Sequence, residues 1–581
     1  MLKDSSKRTG GELLAETLKL AGVDKIFALH GGHLEGLLKA CSEQSIELID
    51  FRHESAAGHA ADSYARMSGK LGVCVITAGP GFTNAISAIA NAKLDSSPVL
   101  FIIGAPPLRE LETNALQGGI DQIAMAKPAA KWALSITTTE RIPDLTAMAI
   151  RKARAGTPGP VVLELTIDIL HMSAPKERAT PPAGLNVLPR PAPSPQETES
   201  LATLVAKADQ PVFIADCEAG NPSTADALAK LCEASGVPVF YTQQGQGVLP
   251  ADHSCNLGAA GTLAAMSLTG GPQPDLIVLL GGKLGLLLGG RSGAVINDSA
   301  KLVQVHSDAT EIGRIRTPDL AISADVAETV RALTDALKST TCRSFEAYKE
   351  AVKSTIDLMA QQFERPDDET NGVHPYFAAR EVCAAAGQDA VYVFDGGEAN
   401  SWGGDCAVVD GPNQVLGHGY LGCLGTGPGF AIGAQYAHPQ KRVVHLTGDG
   451  AMGFHIQEFD TMVRHGLPIV TCVLNNRVWG ISLHGQQMMY GEDYSMITHI
   501  GGTNYADIAG AFGAYSERVT SMDEIAPAMQ RALSSGKPAL LEIMTDPAIV
   551  HPLTVSMLGE VEEGSSEVMV PYYENIPSEG A

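Results

Sequence analysis

The stretch RVVHLTGDGAMGFHIQEFDTMVRHGLPIVTCVLNN, Arg442–Asn476, decides how the chain folds. It opens on an apolar run, Arg442–Leu446, and breaks at Gly448-Asp449-Gly450. Helical spacing follows over Ile456–His465, then a second apolar run, Ile469–Leu474, closed by Asn475-Asn476. Short apolar runs bounded by turn residues read as buried strands, and two of them joined by a helix form a parallel crossover. Asp449 and Asn476 stand 27 residues apart, one strand–helix–strand unit. Both turns therefore lie at the carboxyl ends of parallel strands, where open α/β sheets take their ligands.

The residue types suit one ligand class. Mg²⁺ prefers oxygen ligands in a near-octahedral shell and usually keeps substrate phosphate oxygens in it. Asp449 supplies a carboxylate, Asn476 a side-chain carbonyl and Val478 a backbone carbonyl. Gly448 and Gly450 let backbone N–H groups approach phosphates at a helix N-terminus. Taken singly, Gly448-Asp449-Gly450 reads as a turn and Asn475-Asn476 as a loop. Placed after successive strands, they read as a diphosphate and Mg²⁺ site.

Outward from this stretch, strands and helices alternate along most of the chain. The predicted class is α/β, with three doubly wound parallel-sheet domains. The first spans residues 1–180, with a helix over Gly11–Ala21 and strands at Val73–Thr77 and Val99–Ile103. A Pro-rich stretch over 175–195 reads as a linker. The second spans 195–345, with strands at Pro211–Ala215, Val239–Thr242, Leu276–Leu280 and Leu302–Val305 and a closing helix Val326–Leu337. Its Gly281-Gly282 and Gly289-Gly290 read as a nucleotide loop or, more simply, as turns of the sheet. The third spans 370–550, after a helical and charged connection over 342–372. A tail, 551–581, is acidic and carries Pro571-Tyr572-Tyr573; it reads as a flexible end or as a flap over a cleft.

Composition narrows the partners. The net charge is −24, from 65 acidic and 41 basic residues, which argues against nucleic acid or an anionic membrane surface. No apolar run of transmembrane length occurs and the first residues are polar, so a cytoplasmic location is expected. The ten cysteines, Cys41, Cys74, Cys217, Cys232, Cys255, Cys342, Cys383, Cys406, Cys423 and Cys472, form no CxxC pair and read as buried free thiols rather than a disulfide or zinc framework.

Within the first unit, Glu54 follows the strand Ile46–Phe51 and opens a helix. A Glu in a first turn can simply complement the helix dipole. Gly79-Pro80-Gly81-Phe82-Thr83-Asn84 lies between a strand and a helix and reads as a phosphate loop or a tight turn. His30-Gly31-Gly32-His33 opens another helix. Two His at this spacing suit a metal or, with no third ligand nearby, helix capping and packing. At a helix N-terminus an imidazole stays neutral near pH 7 and can carry protons to and from an alkoxide.

The paired elements at Asp449 and Asn476 resemble the binding fingerprint of thiamine-diphosphate-dependent enzymes, and the resemblance extends over nearly the whole chain. It implies a pyrimidine-binding domain, a central domain and a diphosphate-binding domain. It also implies a homodimer or homotetramer whose active sites lie between the first domain of one subunit and the third of another. Glu54 is then the acid that hydrogen-bonds the aminopyrimidine and activates the cofactor, and the small residues Ala56, Ala57, Ala60 and Ala61 of its helix suit close packing at a subunit interface. Asn84, Gly397, Gly422, Cys423, Leu424, Gly448, Asp449, Gly450, Ala451 and Asn476 surround the cofactor, with Asp449, Asn476 and Val478 on the metal.

Further motifs, Thr9-Gly10-Gly11-Glu12-Leu13, Leu29-His30-Gly31-Gly32-His33, Glu112-Thr113-Asn114, Leu116-Gln117, Ile120-Asp121-Gln122, His418-Gly419-Tyr420-Leu421-Gly422 and Glu458-Phe459-Asp460-Thr461, are similar to the benzaldehyde lyase branch. That likeness implies cleavage or formation of 2-hydroxy ketones from aldehydes. It makes His33 the acid/base, Gln117 the group that orients the substrate oxygen, and Leu424 the bulky residue that bends the cofactor. Ordinary core packing is the other reading of Leu424. Asn400, Ile167 and Gly485 stand where that branch has larger side chains, so a wider, less aromatic pocket is expected. Two other readings use the same residues: a 2-oxo acid decarboxylase or acetolactate-synthase-like enzyme, and a non-catalytic cofactor-binding protein. A nicotinamide dehydrogenase rests only on the alternation of strands and helices.

Overall fold

The computed structural model describes residues 6–110, 113, 115–338, 343–361, 363, 365, 369–558, 567, 568, 576 and 577. Cys342, Glu112, Asn114 and the Pro571-Tyr572-Tyr573 motif lie outside them.

Three six-stranded sheets, each wholly parallel, organise the chain. The first holds β1 (Lys25–Ala28), β2 (Glu47–Asp50), β3 (Gly72–Ile76), β4 (Val99–Ala105), β5 (Trp132–Ile136) and β6 (Val161–Thr166), in the order β2-β1-β3-β4-β6-β5. The second holds β7 (Pro211–Ala215), β8 (Val239–Tyr241), β9 (Asn256–Ala259), β10 (Leu276–Leu280), β11 (Lys301–Val305) and β12 (Leu320–Ile322), in the order β9-β8-β7-β10-β11-β12. The third holds β13 (Val391–Asp395), β14 (Val415–Leu416), β15 (Val443–Gly448), β16 (Val470–Asn475), β17 (Tyr515–Val519) and β18 (Ala539–Met544), in the order β14-β13-β15-β16-β18-β17. The first and third sheets thus share one strand order, and the second differs. Central strands such as β4, β10 and β16 are buried along their whole length, because helices cover both faces.

The first and third units dock through two helices, α1 (Glu54–Ser68) and α2 (Gly427–Ala437). Glycines permit the contact. A Cβ on Gly433 would stand 2.2 Å from the Ala60 carbonyl oxygen, and one on Gly429 would stand 2.6 Å from that of Ala56. The small residues Ala56, Ala57, Ala60 and Ala61 were expected to face another subunit. They instead pack inside the chain, in one core with Phe430 and Ala434, because α2 offers the complementary glycine face. Ser63 Oγ seals the joint by donating to the Phe430 carbonyl at 2.6 Å.

A second expectation changes at the decisive stretch. The helix placed over Ile456–His465 runs over Glu458–Arg464, and a separate short helix, α3 (Asp449–His455), precedes it. Gly448 has an extended backbone, so the helix starts at Asp449 itself. The interruption turns the Glu458 carboxylate toward the Arg52 amide, 3.2 and 3.3 Å away, across the joint between units. The nine described cysteines are free thiols, and among the described residues no helix is long and apolar enough to cross a membrane.

Candidate active site

The carboxyl ends of β13, β15 and β16 enclose a cavity of about 320 Å³. Gly397, Gly422, Leu424, Gly448, Asp449, Gly450, Ala451, Asn476 and Val478, all named from the sequence, line it. Asp449 is 3% exposed, at the first turn of α3. One of its oxygens accepts from the Gly450 amide at 2.9 Å, and the other from the Arg477 amide at 2.8 Å. Burial pushes its carboxyl up to about 7, against the pull of these amides. The two asparagines divide their work. Asn475 is spent on the scaffold, donating to Glu542 at 2.6 Å, whereas Asn476 lines the cavity and its Oδ1 accepts from the Val478 amide at 3.2 Å. Gly450 is a glycine because Trp479 lies over it: a Cβ there would stand 2.4 Å from the indole ring. Carboxylate, amide and peptide oxygens are the donor set a hard divalent cation takes.

Among the residues expected around the cofactor, Asn84 lies instead in a separate cluster with Glu54, and Cys423 also falls outside the cavity. Its side chain does not line the cavity; the thiol sits 3.7 Å from the Leu424 carbonyl and burial pushes it up to about 11. The loop that carries it is held from behind by Asp395, which sequence reasoning missed. The Asp395 carboxylate accepts from the Gly425 and Gly427 amides at 3.2 and 2.8 Å. Asn400 and Gly485 do not line the cavity either; Asn400 faces Gly417 on the side of Gln243.

A separate polar cluster sits at the carboxyl ends of the first sheet. Asn84 Nδ2 donates to Glu54 Oε2 at 3.0 Å, and Glu54 is buried at the start of α1. His33 is half-buried, with Nδ1 3.1 Å from the Thr77 hydroxyl. Burial lowers its pKa, so the neutral imidazole is the resting form near pH 7. Gly31 and Gly81 give Thr77 its place, since a Cβ on either would press into its side chain, at 2.3 and 2.9 Å. Gly79 takes a positive φ of 65°, and Gln117, itself at a φ of 56°, packs over it. Gln122 locks this turn by accepting from the Gly79 amide at 2.8 Å and donating to Glu164 at 2.7 Å. His30 points away, to Glu35 on the surface. No group of three or more His, Cys, Asp or Glu among the described residues is placed to hold a metal, so the metal reading of His30 and His33 falls.

Three family models match the chain in order: thiamine pyrophosphate enzyme N-terminal TPP binding domain over residues 8–125, central domain over 198–333 and C-terminal TPP binding domain over 395–543. The chain is 32% identical over 547 residues to the probable acetolactate synthase of Mycobacterium bovis, covering 93% of this chain and 96% of that one. It is 30% identical over 589 residues to 2-hydroxyacyl-CoA lyase 2 of Danio rerio, covering 93% and 92%. Against the human 2-hydroxyacyl-CoA lyase 2 it is 32% identical over 514 residues, covering 82% and 80%. The chain belongs to the thiamine pyrophosphate enzyme family.

In this thiamine pyrophosphate enzyme the N-terminal match contains His33, Glu54, Asn84 and Gln117, and the C-terminal match contains Asp449, Asn476 and most of the cavity wall. The cavity wall includes no residue of the first unit, so one chain does not bring the two clusters together. The cavity suits the cofactor's diphosphate end: the buried Asp449 carboxylate is held by two backbone amides, and oxygen donors and glycine amides surround it. Besides Asp395, sequence reasoning missed Thr77 and Glu398. Thr77 and Asp395 act through contacts between distant segments and carry no local signal; Glu398 stands directly beside Gly397, in a helix first turn where its charge has an ordinary explanation.

Proposed function

We propose that this enzyme uses thiamine diphosphate with Mg²⁺ to cleave or form the carbon–carbon bond of 2-hydroxy ketones and related 2-hydroxyacyl compounds, as a lyase or carboligase. The observation that carries this reading is His33: a neutral, half-buried imidazole held through Nδ1 by Thr77, in the same cluster as Glu54 and Gln117. When bound, the cofactor supplies a nucleophilic carbon and an electron sink. Glu54, steadied by Asn84, hydrogen-bonds and shares a proton with the aminopyrimidine. His33 takes the proton from the carbinol oxygen as the bond breaks and returns it in the forming direction. Gln117, on its strained backbone over Gly79, orients the substrate oxygen. Asp449, Asn476 and the Val478 carbonyl would hold Mg²⁺, which would offset the charge of the diphosphate.

The separation of the two clusters supports a homodimer or homotetramer in which the first unit of one copy covers the cavity of another. Relatives named 2-hydroxyacyl-CoA lyase 2 support the lyase direction. The relative named probable acetolactate synthase supports a second reading, decarboxylation of a 2-oxo acid followed by ligation. The likeness to benzaldehyde lyase supports acyloins as one substrate class.

Purified protein with thiamine diphosphate and Mg²⁺ decides between these. Cleavage of 2-hydroxy ketones or 2-hydroxyacyl thioesters, without CO₂ from pyruvate, is the expected result. His33→Ala should lower that kcat/KM by roughly 10²–10⁴-fold. CO₂ release from pyruvate that is indifferent to His33→Ala would move the enzyme to the decarboxylating branch.

A further inference from the structure

Glu398 lines the cofactor cavity at the start of the helix Glu398–Cys406 and is 7% exposed. Its hydrogen bonds from protein groups converge on one oxygen. Oε1 accepts from Thr554 Oγ1 at 2.7 Å and from the His551 amide at 3.3 Å, and lies 2.8 Å from His484 Nδ1. The other oxygen, Oε2, turns toward Gly480 and Asn476: a Cβ on Gly480 would stand 2.9 Å from it and 3.1 Å from Asn476 Nδ2.

His484 is 1% exposed, and its Nε2 lies 2.8 Å from the Pro547 carbonyl. A carbonyl only accepts, so Nε2 carries a hydrogen, while Nδ1 faces a carboxylate. Both ring nitrogens therefore donate, which is the imidazolium form. Burial works against that charge, but the Glu398 carboxylate and the Pro547 carbonyl hold the His484 pKa above its ordinary value. An unpaired carboxylate here would be costly twice over: it is buried, and it faces a cavity that receives a diphosphate.

The pair also ties three distant segments together. Residues 545–549 supply Thr545, Asp546 and Ile549 to the cavity wall, and the chain runs straight on to His551 and Thr554. His551 adds a bond to Asp405 at 3.1 Å and packs its ring 4.1 Å from that of Trp402. We propose that Glu398 and His484 are positioning residues whose ion pair clamps the segment 547–554 as the outer wall of the cavity and keeps Glu398 from repelling the diphosphate. Holding this segment and holding the cofactor are then one coupled event. The inference rests on the cavity taking the diphosphate of thiamine diphosphate, whatever the substrate.

The test uses the full chain, with thiamine diphosphate affinity measured by calorimetry in Mg²⁺ and hydrogen exchange followed over 547–558. In the wild type the cofactor should slow exchange there by about tenfold or more. His484→Gln should abolish that slowing and raise the cofactor Kd about tenfold, about 1.4 kcal/mol. Exchange in the central sheet should not change. The double variant Glu398→Gln with His484→Gln restores neutrality and hydrogen bonding, and should recover an affinity within about threefold of wild type. Thr554→Val, which removes one tie and no cavity atom, should loosen the segment and weaken binding less; it decides alone if His484→Gln does not fold. A loosened segment with unchanged affinity, or a double variant as weak as His484→Gln, would overturn the proposal. Wild-type protein that binds no thiamine diphosphate would overturn the cavity reading as well, and the wild-type titration tells these outcomes apart.

Discussion

Gly450 has no room for a side chain. Its Cα faces Trp479, and a methyl group would meet the indole ring at 2.4 Å. Gly450→Ala should therefore cost about 1–3 kcal/mol by overpacking and displace the cavity wall. Denaturant unfolding should show that loss, and added thiamine diphosphate should restore less of it than in the wild type. Unchanged stability with unchanged cofactor rescue would show that Trp479 is free to move aside. The roles of such residues were legible from the sequence where they act locally. Asp449 and Asn476 follow successive apolar strands, and the order of residues carries that information. That Asn475 serves the scaffold was not legible, because it depends on the direction its side chain takes at the end of β16. Thr77, Asp395 and Glu398 were missed for a related reason: their partners lie tens to hundreds of residues away.

Helices α1 and α2 form the joint on which both clusters depend. Gly433→Ala would place a methyl 2.2 Å from the Ala60 carbonyl and should destabilise the docked first and third units by about 2–3 kcal/mol, seen as a lower melting temperature. Glu458 makes the same joint sensitive to pH. It is fully buried, and burial raises its carboxyl to about 7, opposed by bonds from Thr461 and the Arg52 and His53 amides. A carboxyl whose folded pKa is raised favours the folded state fully at pH values below the unfolded pKa of about 4.3, and that contribution is lost as pH rises through about 7. Between pH 5 and 8 the melting temperature should fall, and Glu458→Gln should flatten the fall; equal slopes for both proteins would contradict this assignment. Strands such as β4, β10 and β16 were readable because continuous apolar runs are what two-sided burial demands. The short helix α3 before Glu458–Arg464 was not, because Gly448-Asp449-Gly450 reads as a turn by itself. Blindness to partners sent the small face of α1 to another subunit, when its partner is α2 of the same chain.

At the scale of the whole molecule, the account turns on two half-sites, His33–Glu54–Gln117 on the first unit and the Asp449 cavity on the third, that a single chain leaves apart. Mixing Glu54→Gln with Asp449→Asn chains, each inactive alone, should regain about a quarter of wild-type activity after subunit exchange, since each mixed dimer rebuilds one intact site. No recovery despite proven exchange would place both halves of each site in one chain. The most direct measurement is turnover of a 2-hydroxy ketone by the purified enzyme and by Glu54→Gln, with and without thiamine diphosphate and Mg²⁺. The account predicts cleavage that requires the cofactor and falls by at least about 10²-fold in Glu54→Gln, with cofactor binding itself retained. Turnover that survives either the omission of cofactor or the loss of the Glu54 carboxyl would contradict it.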